Sequence, residues 1–143
     1  MFSKTQKLLR TRSELLCNSQ FEDLAKFYKL PFIAFHDGFP NFVKDHFQLI
    51  ESFSNIAFIM KAKDAVKLSV EVTSVDLPKD GRFKAWSRYR EINSCGGIIS
   101  QIDVIQYLVE SSRGPLVEMI ESFNCPFAAI WEDTDSLAGE HVH

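Results

Sequence analysis

The strongest constraint in this sequence is a change of hydrophobic period at residue 66. Val66, Leu68, Val70 and Val72 alternate there with Lys67, Ser69, Glu71 and Thr73, a repeat of two that fits a strand with one buried face. Pro78-Lys79-Asp80-Gly81 ends that run, Asn93-Ser94-Cys95-Gly96-Gly97 ends the next (Arg82 to Ile92), and Ser111-Ser112-Arg113-Gly114 ends the third (Ile98 to Glu110). A fourth run, Pro115 to Phe123, closes the series before Asn124 and Pro126. Four long strands joined by short turns predict an antiparallel meander.

Upstream of residue 66 the apolar residues recur at three and four. Leu8, Leu9, Leu15 and Leu16 lie among charged residues and predict a helix over Lys4 to Asn18 with a narrow apolar stripe. Ser19 and Glu22 have the spacing of a capping box, so a second, short helix is expected over about residues 20 to 28, with Pro31 forbidding its continuation. Phe32 to Phe35 reads as one short strand that stops at the turn residues His36-Asp37-Gly38, followed by a loop through Pro40. Asn41 is a suitable N-cap for a four-turn helix carrying Val43, Phe47, Ile50, Phe53 and Ala57, with His46 and Leu49 beside them. Helices followed by a meander make an α+β chain.

The size, 143 residues, suits one domain with its own core, expected over residues 1–131, and the polar stretch 132–143 is expected to be a loosely ordered tail. Thirteen phenylalanines point to aromatic side chains in the core or around a cavity. Sixteen basic and nineteen acidic residues are spread along the chain, so no basic surface suggests nucleic acid. No apolar stretch approaches the ~20 residues that span a bilayer, and no signal-like leader begins the chain, so no membrane partner and a cytoplasmic location are expected. Cys17, Cys95 and Cys125 have neither disulfide nor zinc spacing and are expected to be reduced. His36, His46, His141 and His143 lack a metal-ligand spacing, and Gly96-Gly97 lacks the helix start a phosphate would use, so neither metal nor cofactor is expected. The third strand is apolar on both faces, Ile102, Val104 and Leu108 against Ile105, Tyr107 and Val109, which predicts a homodimer through the sheet.

The order of helix, short helix, short strand, long helix and meander resembles the nuclear transport factor 2-like (SnoaL-like) superfamily. Residues Phe21 to Pro31, the Phe32 to Gly38 strand and the Val43 helix are similar to its opening, and Pro115 to Phe127 to its last strand. That resemblance implies a cystatin-like cone, N-terminal helices packed on a curved antiparallel sheet that encloses an apolar pocket. Members include isomerases, dehydratases, cyclases and epoxide hydrolases, beside binding modules with no catalysis, so fold does not choose between them.

Candidate site residues follow from that frame. Asp37, at the end of the first strand, matches the place where isomerases and cyclases of the superfamily put a proton-moving carboxylate, and desolvation would suit it to that role. His36-Asp37-Gly38 is also ordinary turn chemistry, in which the aspartate bonds nearby backbone amides, and this is the stronger reading. Asp103 interrupts an apolar strand and is either a second catalytic carboxylate or a partner of Arg88 or Arg90 on the neighbouring strand. His36, His46, Trp86, Tyr89 and Tyr107 are candidate ligand-binding residues, although Trp86 and Tyr89 point to opposite faces. The tyrosine that the isomerases carry on their first helix is missing, since no Tyr precedes Tyr28, and Gln101-Ile102-Asp103 stands where epoxide hydrolases carry R-x-D. The function expected is the binding of a small apolar or aromatic ligand in the cone. A cofactor-independent lyase or isomerase with Asp37 as general base, or a dimeric protein-interaction module, are the alternatives.

Overall fold

The alternation that begins near residue 66 is a strand, β3 (Ala65–Val75), and the meander continues through β4 (Arg82–Asn93), β5 (Ile98–Val109) and β6 (Leu116–Phe123). These elements come from a computed structural model that describes residues 2–123. The expected polar tail and the ends of the expected domain, with Cys125, His141 and His143, lie outside the described residues. Ahead of the meander come α1 (Phe2–Cys17), α2 (Phe21–Ala25), β1 (Tyr28–His36), β2 (Phe39–Val43) and α3 (His46–Ala62). The six strands form one sheet in the order β2-β1-β6-β5-β4-β3, antiparallel at every neighbour except the parallel pair β1 and β6.

Four local expectations need correction. The loop after His36 is a strand, because Asp37 and Gly38 both take positive φ (52° and 83°) and turn the chain in two residues into a hairpin whose last pair is His36 with Phe39. The capping box does not form. Ser19 has φ 56°, and the amides of Ser19 and Gln20 donate to the carbonyls of Leu16 and Leu15, so this serine closes the C-terminus of α1 and cannot also open α2. The second helix stops at Ala25 because Tyr28 is drawn into β1 by pairing with Val117, and Pro31 sits inside that strand where its register shifts. The long helix begins at Asp45, whose carboxylate accepts from the Gln48 amide at 2.9 Å, while Asn41 is spent in β2. Its inward face is Leu49, Phe53 and Met60, while Phe47, on the apolar repeat of the sequence, is 75% exposed.

The helices pack on one face of the sheet. In β4 the inward residues are Phe83, Ala85, Ser87, Tyr89 and Glu91, and in β5 they are Ile102, Val104, Gln106 and Leu108. One core cluster joins Leu24, Phe32, Ala34, Leu49, Phe53 and Leu108, and a second joins Met60, Ala65, Leu68, Tyr89, Ile102 and Val104. The first helix also seals the free edge of the sheet. Gln6 donates its Nε2 to the Val70 carbonyl at 2.9 Å and accepts the Val72 amide at 2.7 Å, and the Ser13 hydroxyl donates to the Leu68 carbonyl. Backbone groups of an edge strand otherwise stay open to another chain.

At the end of α3 a buried ion pair ties helix to sheet. Glu91 is fully buried, Lys63 Nζ lies 2.7 Å from its Oε1, and the Ser100 hydroxyl donates to the same oxygen. Removing the cation leaves a carboxylate in the core without its counter-charge, so Lys63→Met is expected to destabilise the fold by about 3 kcal/mol. Urea denaturation measures this, and adding Glu91→Gln to that variant is expected to recover part of the loss.

Candidate functional site

The inward face of the sheet is not uniformly apolar. Between the two core clusters lies a polar group that begins at Arg12. This residue sits one helical turn from Leu9, Leu15 and Leu16 on the buried stripe of α1 and is 7% exposed. Its Nη1 donates to Gln106 Oε1 on β5 at 2.9 Å, and its Nη2 to the Tyr28 hydroxyl on β1 at 2.9 Å. Gln106 Nε2 in turn donates to the Tyr89 hydroxyl on β4 at 3.1 Å. Three strands and a helix therefore meet in one hydrogen-bonded cluster.

Aromatic rings lie on its Tyr28 side. The guanidinium carbon stands 4.9 Å from the Tyr28 ring centroid, and that ring packs edge-on against Phe32 at 5.0 Å and Phe53 at 5.1 Å. Burial works against the charged guanidinium, but the oxygens of Tyr28 and Tyr89 more than offset it and its pKa is raised. Tyr89 is pushed up to about 12, mainly by burial, so its hydroxyl keeps its proton at neutral pH. Arg12 Nε is buried and has no hydrogen-bond partner.

His36 occupies the same inward face at the other end of β1. Its Nδ1 lies 2.6 Å from Ser122 Oγ on β6, which also reaches the Phe35 carbonyl at 3.3 Å. Both bonds have a donor when the ring carries its proton on Nδ1. Burial lowers the His36 pKa to about 4, with Asp37 acting in the opposite direction.

The other expected site residues stand elsewhere. Asp37 is exposed in the two-residue turn between β1 and β2. Asp103 points to the outer face, where Arg88 Nε donates to its Oδ1 at 3.1 Å, the pairing weighed from the sequence. Asp37 and Asp103 are thus not brought together. Trp86 and Tyr107 share that outer face, with Lys84 Nζ 5.8 Å and 5.7 Å from their ring centroids, and the Tyr107 hydroxyl donates to Glu121. That bond, with burial, raises Tyr107 to about 12. His46 makes an exposed pair with Glu22 at 2.8 Å. Among the ligand-binding candidates, only His36 and Tyr89 face the helices.

Arg12, Gln106 and Tyr28 were not singled out from the sequence. The signal was present, because Arg12 falls on a leucine stripe and Gln106 falls in register with Ile102, Val104 and Leu108. A polar residue in an inward register needs a partner or a ligand. Three grooves among the described residues touch α1, one of them, of about 510 Å³, by Leu16, Cys17, Met60 and Ala65. Another of about 420 Å³ runs between the helix and β3 along Ser13, Glu14, Cys17 and Leu68, and one of about 400 Å³ lies by Thr5, Leu8, Phe83 and Pro115. Cys17 and Cys95 are free thiols, and burial raises the pKa of Cys17. Among the described residues no group of three or more His, Cys, Asp or Glu side chains is placed to hold a metal ion, and no helix is long and apolar enough to cross a membrane.

No protein-family model and no curated protein matches the sequence. Solved structures do match. A cystatin-like domain of unknown function from Nostoc punctiforme superposes with a TM-score of 0.67 at 15% identity, covering 98% of this chain and 90% of that one. An NTF-2 like protein of unknown function from Shewanella oneidensis gives 0.64 at 9% identity, over 82% and 94% of the two chains. A ketosteroid isomerase-like protein from Erwinia carotovora gives 0.58 at 13% identity, over 80% and 89%. At these identities the likeness carries the fold and not the chemistry.

The His36 shift has a consequence for pH. The unfolded chain binds a proton on this histidine near pH 6.5, whereas the folded chain resists it down to about pH 4. Stability is therefore full above pH 6.5 and falls as the pH drops through that window. The loss is expected to reach about 2 to 3 kcal/mol by pH 4. Denaturation midpoints between pH 7 and 5, where carboxylates contribute least, are expected to slope in the parent chain and to flatten in His36→Gln.

Proposed function

We propose that this domain, built on the nuclear transport factor 2-like fold those neighbours share, binds a small molecule on the inward face of its sheet. The observation that carries the reading is the Arg12, Gln106, Tyr89 and Tyr28 cluster. Packing alone would be served at least as well by apolar side chains of similar volume, since buried charge is costly to keep. Ligand sites characteristically combine apolar walls with a few placed polar groups. Phe32 and Phe53, packed against the Tyr28 ring, would supply the apolar walls, and Tyr89 is the member of the cluster expected from the sequence.

The lyase or isomerase alternative has less support. Its base would be Asp37, which is exposed in the hairpin turn, and Asp103 is engaged by Arg88 on the far side of the sheet. Binding of an apolar or aromatic ligand needs neither carboxylate.

Neutral 4-methylphenol is a suitable probe. In side-chain NMR spectra it is expected to shift Tyr89, Tyr28 and Gln106 saturably while leaving Trp86 and Lys84 unmoved. Shifts confined to the outer face, or none at all, would refute interior binding.

A specific observation favours a second, compatible reading, a homodimer through the outer face of the sheet. Ile105, Tyr107 and Val109 of β5 are half-buried there beside Trp86 and Met119, and the described helices pack on the opposite face. A second copy would bury that apolar surface, with the Arg88 and Asp103 pair at its rim. Light scattering is expected to give about twice the 16.4 kDa chain mass, and Ile105→Asp is expected to halve it. A parent chain that runs as a monomer at high concentration would dismiss this reading.

A further inference from the structure

Resting on that interior-binding reading, we infer that the ligand is a small monocarboxylate and that Arg12 is the residue that anchors it. The guanidinium is charged, 7% exposed, and held by two neutral partners, Gln106 and Tyr28. None of the ion pairs among the described residues includes it. A buried cation is ordinarily matched by a carboxylate, and the described residues supply none here.

The cluster also holds more donors than acceptors. Arg12 Nε has a hydrogen and no partner. The Tyr28 hydroxyl accepts from Arg12 and the Tyr89 hydroxyl accepts from Gln106, so each keeps its own proton for a further acceptor. Tyr89, pushed by burial from its ordinary 10 up to about 12, is protonated at neutral pH with or without that shift and remains a donor. The missing group is therefore an acceptor with more than one oxygen and a negative charge, the description of a carboxylate facing a guanidinium.

Two features narrow the class. The cluster contains a single cation, which balances one negative charge and not the two of a phosphate monoester. Its surroundings are Tyr28, Phe32 and Phe53, rings that favour an aromatic or aliphatic body behind the carboxylate. No covalent step is implied; the ligand is bound through its charge and its apolar surface.

The test compares 4-methylbenzoate with 4-methylbenzamide, nearly the same shape without the charge, with 4-methylphenol reporting on interior binding by itself. Titration calorimetry on the parent chain is expected to show the benzoate at least tenfold tighter than the benzamide. In Arg12→Met that preference is expected to vanish while 4-methylphenol still binds. Tyr89→Phe removes one donor and little volume, so it is expected to weaken the benzoate several-fold even if Arg12→Met fails to fold. Equal affinity of the parent chain for benzoate and benzamide overturns the carboxylate inference and leaves interior binding standing. No interior binding by any of the three probes overturns both. A benzoate preference unchanged in Tyr89→Phe and in folded Arg12→Met overturns the assignment of the anchor.

Discussion

The structure depends on how α1 is held against the free edge of β3. Gln6 satisfies a carbonyl and an amide two residues apart, at Val70 and Val72, and Ser13 satisfies the carbonyl of Leu68. These side chains complete an edge that would otherwise offer open backbone groups to another chain. They also set the rotation of the helix. With Gln6 and Ser13 turned to the edge, Leu9 and Arg12 face the inside of the sheet, and Arg12 reaches Gln106 on a strand that is second from β3 in sheet order. The site and the edge cover are thus two consequences of one docking geometry.

The same inward surface carries polar groups at two further places. Glu91 is fully buried and paired with Lys63 where α3 ends, and His36 meets Ser122 where β1 and β6 run parallel. Each charge or proton is met by a named partner from another element, so each helps to specify which elements lie together. Arg12 is different. Its bonds go to neutral groups and one of its nitrogens goes unmet. Glu91 also keeps a buried oxygen, Oε2, without a hydrogen bond, but its charge is met by Lys63. No carboxylate among the described residues meets the charge of Arg12, and an unmet charge is what a site for an outside ligand would leave. The outer face follows another logic. There Arg88 and Asp103, Arg82 and Glu118, and Lys84 beside Trp86 and Tyr107 form exposed or half-exposed contacts that modestly favour the fold and leave apolar surface between them.

Much of the architecture was legible in the residues. The meander strands match their periodic runs closely because each ends on turn residues, and Asp80-Gly81 takes the positive φ values (54° and 76°) that such a turn requires. The hairpin at Asp37-Gly38 uses the same dipeptide, but Phe39 to Val43 is short and contains Pro40, a pattern that predicts a loop. An edge strand tolerates that proline, and β2 is an edge strand. Ser19 illustrates a limit of local signals. It has the spacing of a helix start, but the carbonyls of the preceding helix claim its amide first.

The sequence by itself determined an α+β chain, with helices before a meander, and the two faces of its strands, because periods of 3.6 and two are properties of neighbouring residues. It also placed Trp86 opposite Tyr89 and offered Arg88 as a partner for Asp103. Only the tertiary structure decided which face is inside, and that choice separated Tyr89 and His36 from Asp103, Trp86 and Tyr107. It also brought Arg12 to Gln106, 94 positions later in the chain, and both to Tyr28 and Tyr89. The reason is physical: a period records that a side chain is buried, whereas the partner it meets depends on how the sheet curves and where its first helix is held.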